Sequence, residues 1–246
     1  MSNTLIGLLV FFLVAGLFFY LIVLDAGRWR KKIEAALLPI GFEACAAEDV
    51  KSELAQRLQI VNTRKPGKRL LMHLYRRSAP DGLYEIYVCD YRFGSASGKA
   101  RGGQSILVCL VSKALDLPRI SIESVLDASG LAGKIFQKFS DTFPLPGMEI
   151  IETGDMALDQ RFRVYASAGQ ARNISPFVKR ISSALRSKGG VCLDAANDGL
   201  ILSSLEMGAD LVRHEVDPQK LLQLIHVGID LYEMFRRPYP AGVAEH

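Results

Sequence analysis

The sequence predicts an α+β protein: one N-terminal transmembrane helix followed by a mixed, mainly antiparallel sheet-and-helix domain. Three observations carry this. Leu5 to Leu24, LIGLLVFFLVAGLFFYLIVL, is a run of twenty residues without a charge. As a helix it spans ~30 Å, the hydrocarbon thickness of a bilayer. Beyond it, several apolar segments of strand length are bounded by turn residues. Two further segments open with a cap residue and a proline, Ser175-Pro176 and Asp217-Pro218, and continue at helical spacing.

Taken in order, nothing breaks the first helix before Pro39 and Gly41, so it is expected to run on to Leu38. A second helix is expected over Glu48 to Val61, with Val50, Leu54, Leu58 and Val61 on one stripe. Asn62 to Arg69, NTRKPGKR, is a basic linker with a Pro-Gly turn signal. Leu70 to Tyr75 and Leu83 to Phe93 read as strands joined by the SAPDG turn, and Gly103 to Ser112 as a third. Its core SILVCLV is apolar on both faces, the mark of a central strand. Leu117-Pro118 opens a short extended piece, RISIE. Leu126 to Pro146 fits no single period, although Ile135, Phe136 and Phe139 suggest a short helix. Met148 to Ile151 and Arg161 to Ala166 are strand candidates. The helix capped at Ser175 presents Val178, Ile181 and Leu185 and ends at Gly189-Gly190. A hairpin follows around Asn197-Asp198-Gly199. The last helix turns Leu221, Leu224, Ile225, Gly228, Tyr232 and Phe235 inward and stops before Pro238. This divides the chain into an anchor with juxtamembrane helix, 1–38, and a domain, 39–246, with two sub-lobes at about 62–146 and 147–238.

Charge sets the expected orientation. No Lys or Arg precedes the apolar run, whereas Arg28, Arg30, Lys31 and Lys32 follow it. Positive flanks stay on the cytoplasmic side, which places the N-terminus outside and the domain in the cytoplasm. The missing positive n-region and small-residue cleavage site argue for an anchor that is retained. Lys plus Arg number 30 against 26 acids, a net charge of +4. That is far from the basic stripe of a nucleic-acid binder, so no nucleic-acid partner is expected. Cys45, Cys89, Cys109 and Cys192 form no CxxC and suit a reducing compartment as buried thiols.

No catalytic motif survives comparison with its structural requirements. GSASGKA, residues 94–100, is one residue short of a phosphate loop, lacks Ser or Thr after Lys99, and joins two strands rather than opening a helix. Ser105 lacks the glycine of a nucleophile elbow. His73, His214, His226 and His246 show no metal-ligand spacing. Asp194 and Asp198 flank a hairpin turn, where aspartate serves turn chemistry. Neither a cofactor nor a metal is expected. The basic groups are the strongest functional hint. Arg28, Arg30, Lys31 and Lys32 abut the apolar run; Arg64, Lys65, Lys68 and Arg69, with Arg76 and Arg77 behind, form a second cluster. Such clusters bind anionic headgroups with about 1 kcal/mol per residue near the surface.

The order YEIYVCDYRF, GSASGK, strand, LPRISIES, FRVYA, ARNISPFVKRI, hairpin and amphipathic helix resembles a family of uncharacterised bacterial membrane-anchored proteins, from the anchor to the last helix. The marks are Asp90-Tyr91, the loop Gly94, Gly98 and Lys99, and Phe162, Val164 and Tyr165 before Ala171-Arg172. The loop departs from the pattern, being diluted with Ser and Ala. The resemblance implies an inner-membrane location and an architecture, but no activity. The expected function is therefore a membrane-anchored binding or scaffolding protein contacting a protein partner or lipid headgroups. The alternative is an enzyme on a membrane-proximal substrate, with a site near Asp90, Tyr91 and Lys99.

Overall fold

A computed structural model describes residues 12–13, 16, 30–61, 69–93, 104–124, 147–170, 174, 177–178, 180–181, 184–185, 190–204 and 217–236. Their centre is one sheet of nine strands: β1 (Glu43–Ala44), β2 (Arg69–Ser78), β3 (Glu85–Phe93), β4 (Gln104–Val111), β5 (Leu117–Ser124), β6 (Met148–Ile151), β7 (Phe162–Ser167), β8 (Val191–Asn197) and β9 (Gly199–Ser204). The order is β1-β2-β3-β4-β9-β8-β5-β7-β6. Every pairing is antiparallel. The α+β class and the antiparallel sheet expected from the sequence are thus present. β4, the strand expected to be central, lies between β3 and β9.

Two strands depart from plain alternation. In β2 the register shifts between Leu71 and Leu74, so that Met72 and His73 oppose Asp90 alone. This is a bulge, which bends a strand and re-aims a side chain. In β5 the shift lies between Leu117 and Ile120 and contains Pro118. A proline cannot donate to a ladder, and an interior strand tolerates it at such a bulge. The β8–β9 hairpin turns on Asn197, whose φ of 54° lies in the left-handed region that asparagine tolerates.

The two faces of the sheet differ. The broad core uses Ile86, Val88, Ile106, Val108, Ile120, Ile122, Val164, Leu193 and Leu202. Against it pack α3 (Pro218–Arg236), through Leu221, Leu224, Ile225, Leu231 and Tyr232, and the helical residues Ile174, Val178, Ile181 and Leu185. A Cβ on Gly228 would come within 2.9 Å of Leu202 Cδ1, so α3 lies close to the sheet at this turn and a larger residue would make the leucine side chain shift. Phe177 and Phe235 stack at 4.5 Å between ring centroids. As the sequence predicts, Asp217 caps α3: its side chain accepts from the Gln219 N–H at 2.9 Å. The helix placed at Ser175 starts earlier, since Ile174 is already helical. One short helix escapes the sequence reading: α2 (Met156–Asp159), capped by Asp155 and buried through Leu158.

The opposite face carries a smaller core of Leu74, Tyr87, Cys89, Leu107, Cys109, Ala196 and Ile201. It is covered by α1 (Glu48–Val61), whose bounds match the predicted ones and whose Leu54 is buried. All four cysteines are free thiols; Cys89, Cys109 and Cys192 are buried.

Among the described residues no helix is long and apolar enough to cross a membrane. Of the apolar run, Phe12, Leu13 and Gly16 are described; all three are helical, and Phe12 and Leu13 are 66% exposed.

Candidate functional site

The segment that emerges from the apolar run is built into the domain. Residues 30–37 are helical and continue into a 3-10 turn, Leu38–Ile40. Gly41, at a φ of 84°, then reverses the chain into β1, the helix stop that Pro39-Gly41 predicts. Ile33 and Leu37, 3% and 0% exposed, belong to the broad core. The polar face of the same helix is fastened too. Arg30 Nε donates to Glu34 Oε1 at 2.9 Å. Tyr75 Oη donates to that oxygen at 3.3 Å. The Arg30 guanidinium holds the Glu34 carboxyl below its usual range, with further help from Tyr75 and His73. Burial, then the Glu34 carboxylate, pushes the Tyr75 hydroxyl up to about 12. At the far end Arg77 Nη1 donates to the Ile40 carbonyl at 3.2 Å, and its guanidinium lies 5.1 Å over the Phe42 ring.

Deeper on this face sits Asp90, 3% exposed. It lies opposite the β2 bulge, and His73 Nδ1 is 3.8 Å from its Oδ2. A carboxylate is costly to bury without a partner, and His73 is the ionisable side chain set against it. Sequence reading passed over His73 because it belongs to no motif. The available signal was the slip of alternation in Leu70-Leu71-Met72-His73-Leu74, where apolar residues fall on both faces in succession.

The other face holds its own polar groups. Ser121 Oγ donates to Asp194 Oδ1 at 2.5 Å, both side chains being buried and cross-strand neighbours on β5 and β8. Asp194 is therefore a strand residue with a buried partner, not a turn residue. Asp198 does serve the hairpin, and it also pairs with Arg57 of α1. Arg76 and Tyr87 both donate to Glu85. Burial opposes ionisation of that carboxyl, yet the two donors win and hold it below its usual range. Arg76 and Arg77 thus serve contacts inside the fold. Among the described residues no group of three His, Cys, Asp or Glu side chains converges as a metal site.

The residues singled out in the sequence are placed as follows. Arg30, Lys31 and Lys32 project from the exposed side of the helical segment. Arg69 opens β2 opposite Phe93. Tyr91 stands in β3 between Leu71 and Ser105; its side chain, and that of Arg69, lie outside the described residues, as do Arg28, Arg64, Lys65, Lys68 and Lys99. His226 is exposed on α3, with Nδ1 2.8 Å from the Leu222 carbonyl. The structure thus groups Arg30, Glu34, His73, Tyr75 and Asp90 at the junction between the helical segment and β2–β3.

Comparison with known proteins finds no matching family model, no matching curated protein and no matching solved structure.

Proposed function

We propose that this chain is a single-pass inner-membrane protein, N-terminus outside, whose cytoplasmic domain binds or scaffolds a protein partner or anionic headgroups at the membrane surface. The supporting observation is the burial of Ile33 and Leu37 in the main core, with Glu34 held between Arg30 and Tyr75. Only five residues separate Leu24 from Arg30. Five residues reach at most about 17 Å, so a domain fastened from residue 30 stays close to an apolar run of bilayer length. The contact residues of this reading are Arg28, Arg30, Lys31, Lys32, Arg64, Lys65, Lys68 and Arg69. The resemblance to bacterial membrane-anchored proteins points the same way. An enzyme with a site at Asp90, Tyr91 and Lys99 is less well supported, because Asp90 is enclosed in the core and faces His73.

The test is fractionation with topology mapping. The full chain stays with membranes through an alkaline carbonate wash, and a reporter active only in the cytoplasm works when fused after His246. Release by the wash, or activity of a periplasm-only reporter there, overturns the reading.

A further inference from the structure

We propose that Cys89 and Cys109 form an oxidation site: a peroxide joins them in a disulfide, at a rate set by how often α1 lifts from above them. This does not depend on the anchored reading.

Register places the pair. Cys89 lies opposite Leu107 and Cys109 opposite Tyr87, so the two stand diagonally on β3 and β4, on one face of the sheet. They are 0% and 1% exposed and share the smaller core with Leu54 of α1. Their thiols are in hydrogen-bonding contact. The other two cysteines stand two strands away. The Cys45 N–H donates to the Leu74 carbonyl at 2.7 Å, and Leu74 pairs with Cys89, so β2 separates those two cysteines. Cys109 pairs with Ile201 of β9, and Cys192 lies beyond it on β8, opposite Ser203. Two strand spacings come to ~9.5 Å, whereas a disulfide joins Cα atoms no more than ~7 Å apart. Cys89 with Cys109 is therefore the combination that the sheet allows to bond.

Spacing also sets the character of the bond. Diagonal Cα atoms on paired strands stand ~7–8 Å apart, so closing it draws β3 and β4 together beneath Leu54. A bond made at that cost is readily reduced again, which suits a reversible mark rather than a staple. The chemistry balances with hydrogen peroxide as the oxidant. One thiol is oxidised to a sulfenic acid as the peroxide bond breaks and water leaves. The second thiol attacks that sulfur, and its proton departs with the hydroxyl as a second water. With α1 seated, both thiols are shielded, and contact with Cys109 and burial hold the Cys89 thiol well above its ordinary value. The thiolate that would attack peroxide is thus suppressed until the cover opens.

The test treats the full chain with hydrogen peroxide, digests it with trypsin and identifies the peptides by mass. Arg92, Lys99 and Arg101 lie between the two cysteines, so their peptides stay together only through a disulfide. The expected product is that linked pair, lost on treatment with dithiothreitol and absent from Cys89→Ser and Cys109→Ser. It should form about tenfold faster or more in Leu54→Ala, as the open population rises. Arg57→Gln, which removes the ion pairs of α1 with Glu53 and Asp198, should act in the same direction without touching the core. A link within one chain through Cys45 or Cys192, or oxidation of Cys89 and Cys109 without a link, overturns the pairing. Equal rates in the wild type and both α1 variants overturn the role of the cover. Two thiols that stay reduced in all three proteins overturn the site altogether.

Discussion

Two helices cover opposite faces of the sheet, and they are held in different ways. The helical segment 30–37 inserts Ile33 and Leu37 into the core that also seats α3. α1 has fourteen residues, and of its described side chains Leu54 alone is fully buried, with Val50 packed partly beneath it. Among the described side chains of α1, polar contacts add to this: Arg57 bridges Glu53 at 3.0 Å and pairs with Asp198 of the hairpin. Exposed or half-exposed ion pairs contribute roughly 0–1 kcal/mol each. Among the described side chains, those of the segment next to the apolar run reach deeper into a core than those of α1.

The largest effect should come from removing the embedded segment. A chain beginning at residue 40 lacks both Ile33 and Leu37, side chains whose truncation costs about 2–5 kcal/mol each. Together they approach the whole stability of an ordinary domain, ~5–15 kcal/mol. Such a chain is expected to lose its cooperative melt, whereas one beginning at residue 28 keeps it. Leu37→Ala in the latter should lower the denaturation midpoint without changing its slope. A cooperative melt of 40–246 equal to that of the longer chain would show that the helical segment only rests on the domain.

A smaller effect is expected on the other face. Leu54→Ala should cost about 2–3 kcal/mol, near the low end for a buried leucine because a face held at its rim by ion pairs can settle into the space. The telling measurement is thiol labelling. Cys89 and Cys109 lie beneath α1; contact with the Cys109 thiol, and then burial, push the Cys89 thiol well above its ordinary value, which suppresses the reactive thiolate. Loosening α1 should speed labelling of both by at least tenfold under native conditions, and Leu37→Ala should not. Equal acceleration by the two substitutions would mean that the faces open together as one cooperative unit.

Much of this fold was legible because local and tertiary signals agreed. Glu48 to Val61, the β8–β9 hairpin and the Asp217-Pro218 cap each combine a period with a terminator. What escaped were features in which a distant partner decides the role. Asp194 sits next to a turn in sequence, but β5 brings Ser121 to it from 73 positions away. Asp90 reads as part of a site with Tyr91 and Lys99 until the β2 bulge turns His73 towards it. The fastening of residues 30–37 was hidden for another reason. Ile33 and Leu37 continue a helix already accounted for by the membrane, so their spacing carried no separate message. The candidate contact residues share only their charge, and charge does not tell that Arg30 pairs with Glu34 and Arg76 with Glu85 inside the fold.

The smallest effect sharpens the comparison through pH. Glu34 fastens the embedded helix, and the Arg30 guanidinium holds its carboxyl below the usual glutamate range. A depressed carboxyl contributes stability above its unfolded pKa and loses that contribution as the pH falls through the folded value. Glu34→Gln should therefore lower the melting temperature slightly at pH 7, and the difference should close as the pH drops below about 4.5. Tyr75 supplies the opposite arm. Burial keeps its hydroxyl protonated in the folded state up to about 12, above the ordinary tyrosine range. The unfolded chain ionises first, so stability falls as the pH rises from 10 towards 12. Tyr84 and Tyr87 are raised as well, so Tyr75→Phe should reduce the alkaline loss in part and leave the acid limb to Glu34. Both effects should be several-fold smaller than that of Leu54→Ala, because the Arg30–Glu34 pair is open to solvent and screened. A Glu34→Gln difference that persists unchanged at pH 3 would locate the role of this side chain in packing rather than charge, and would leave Ile33 and Leu37 as the whole of the attachment.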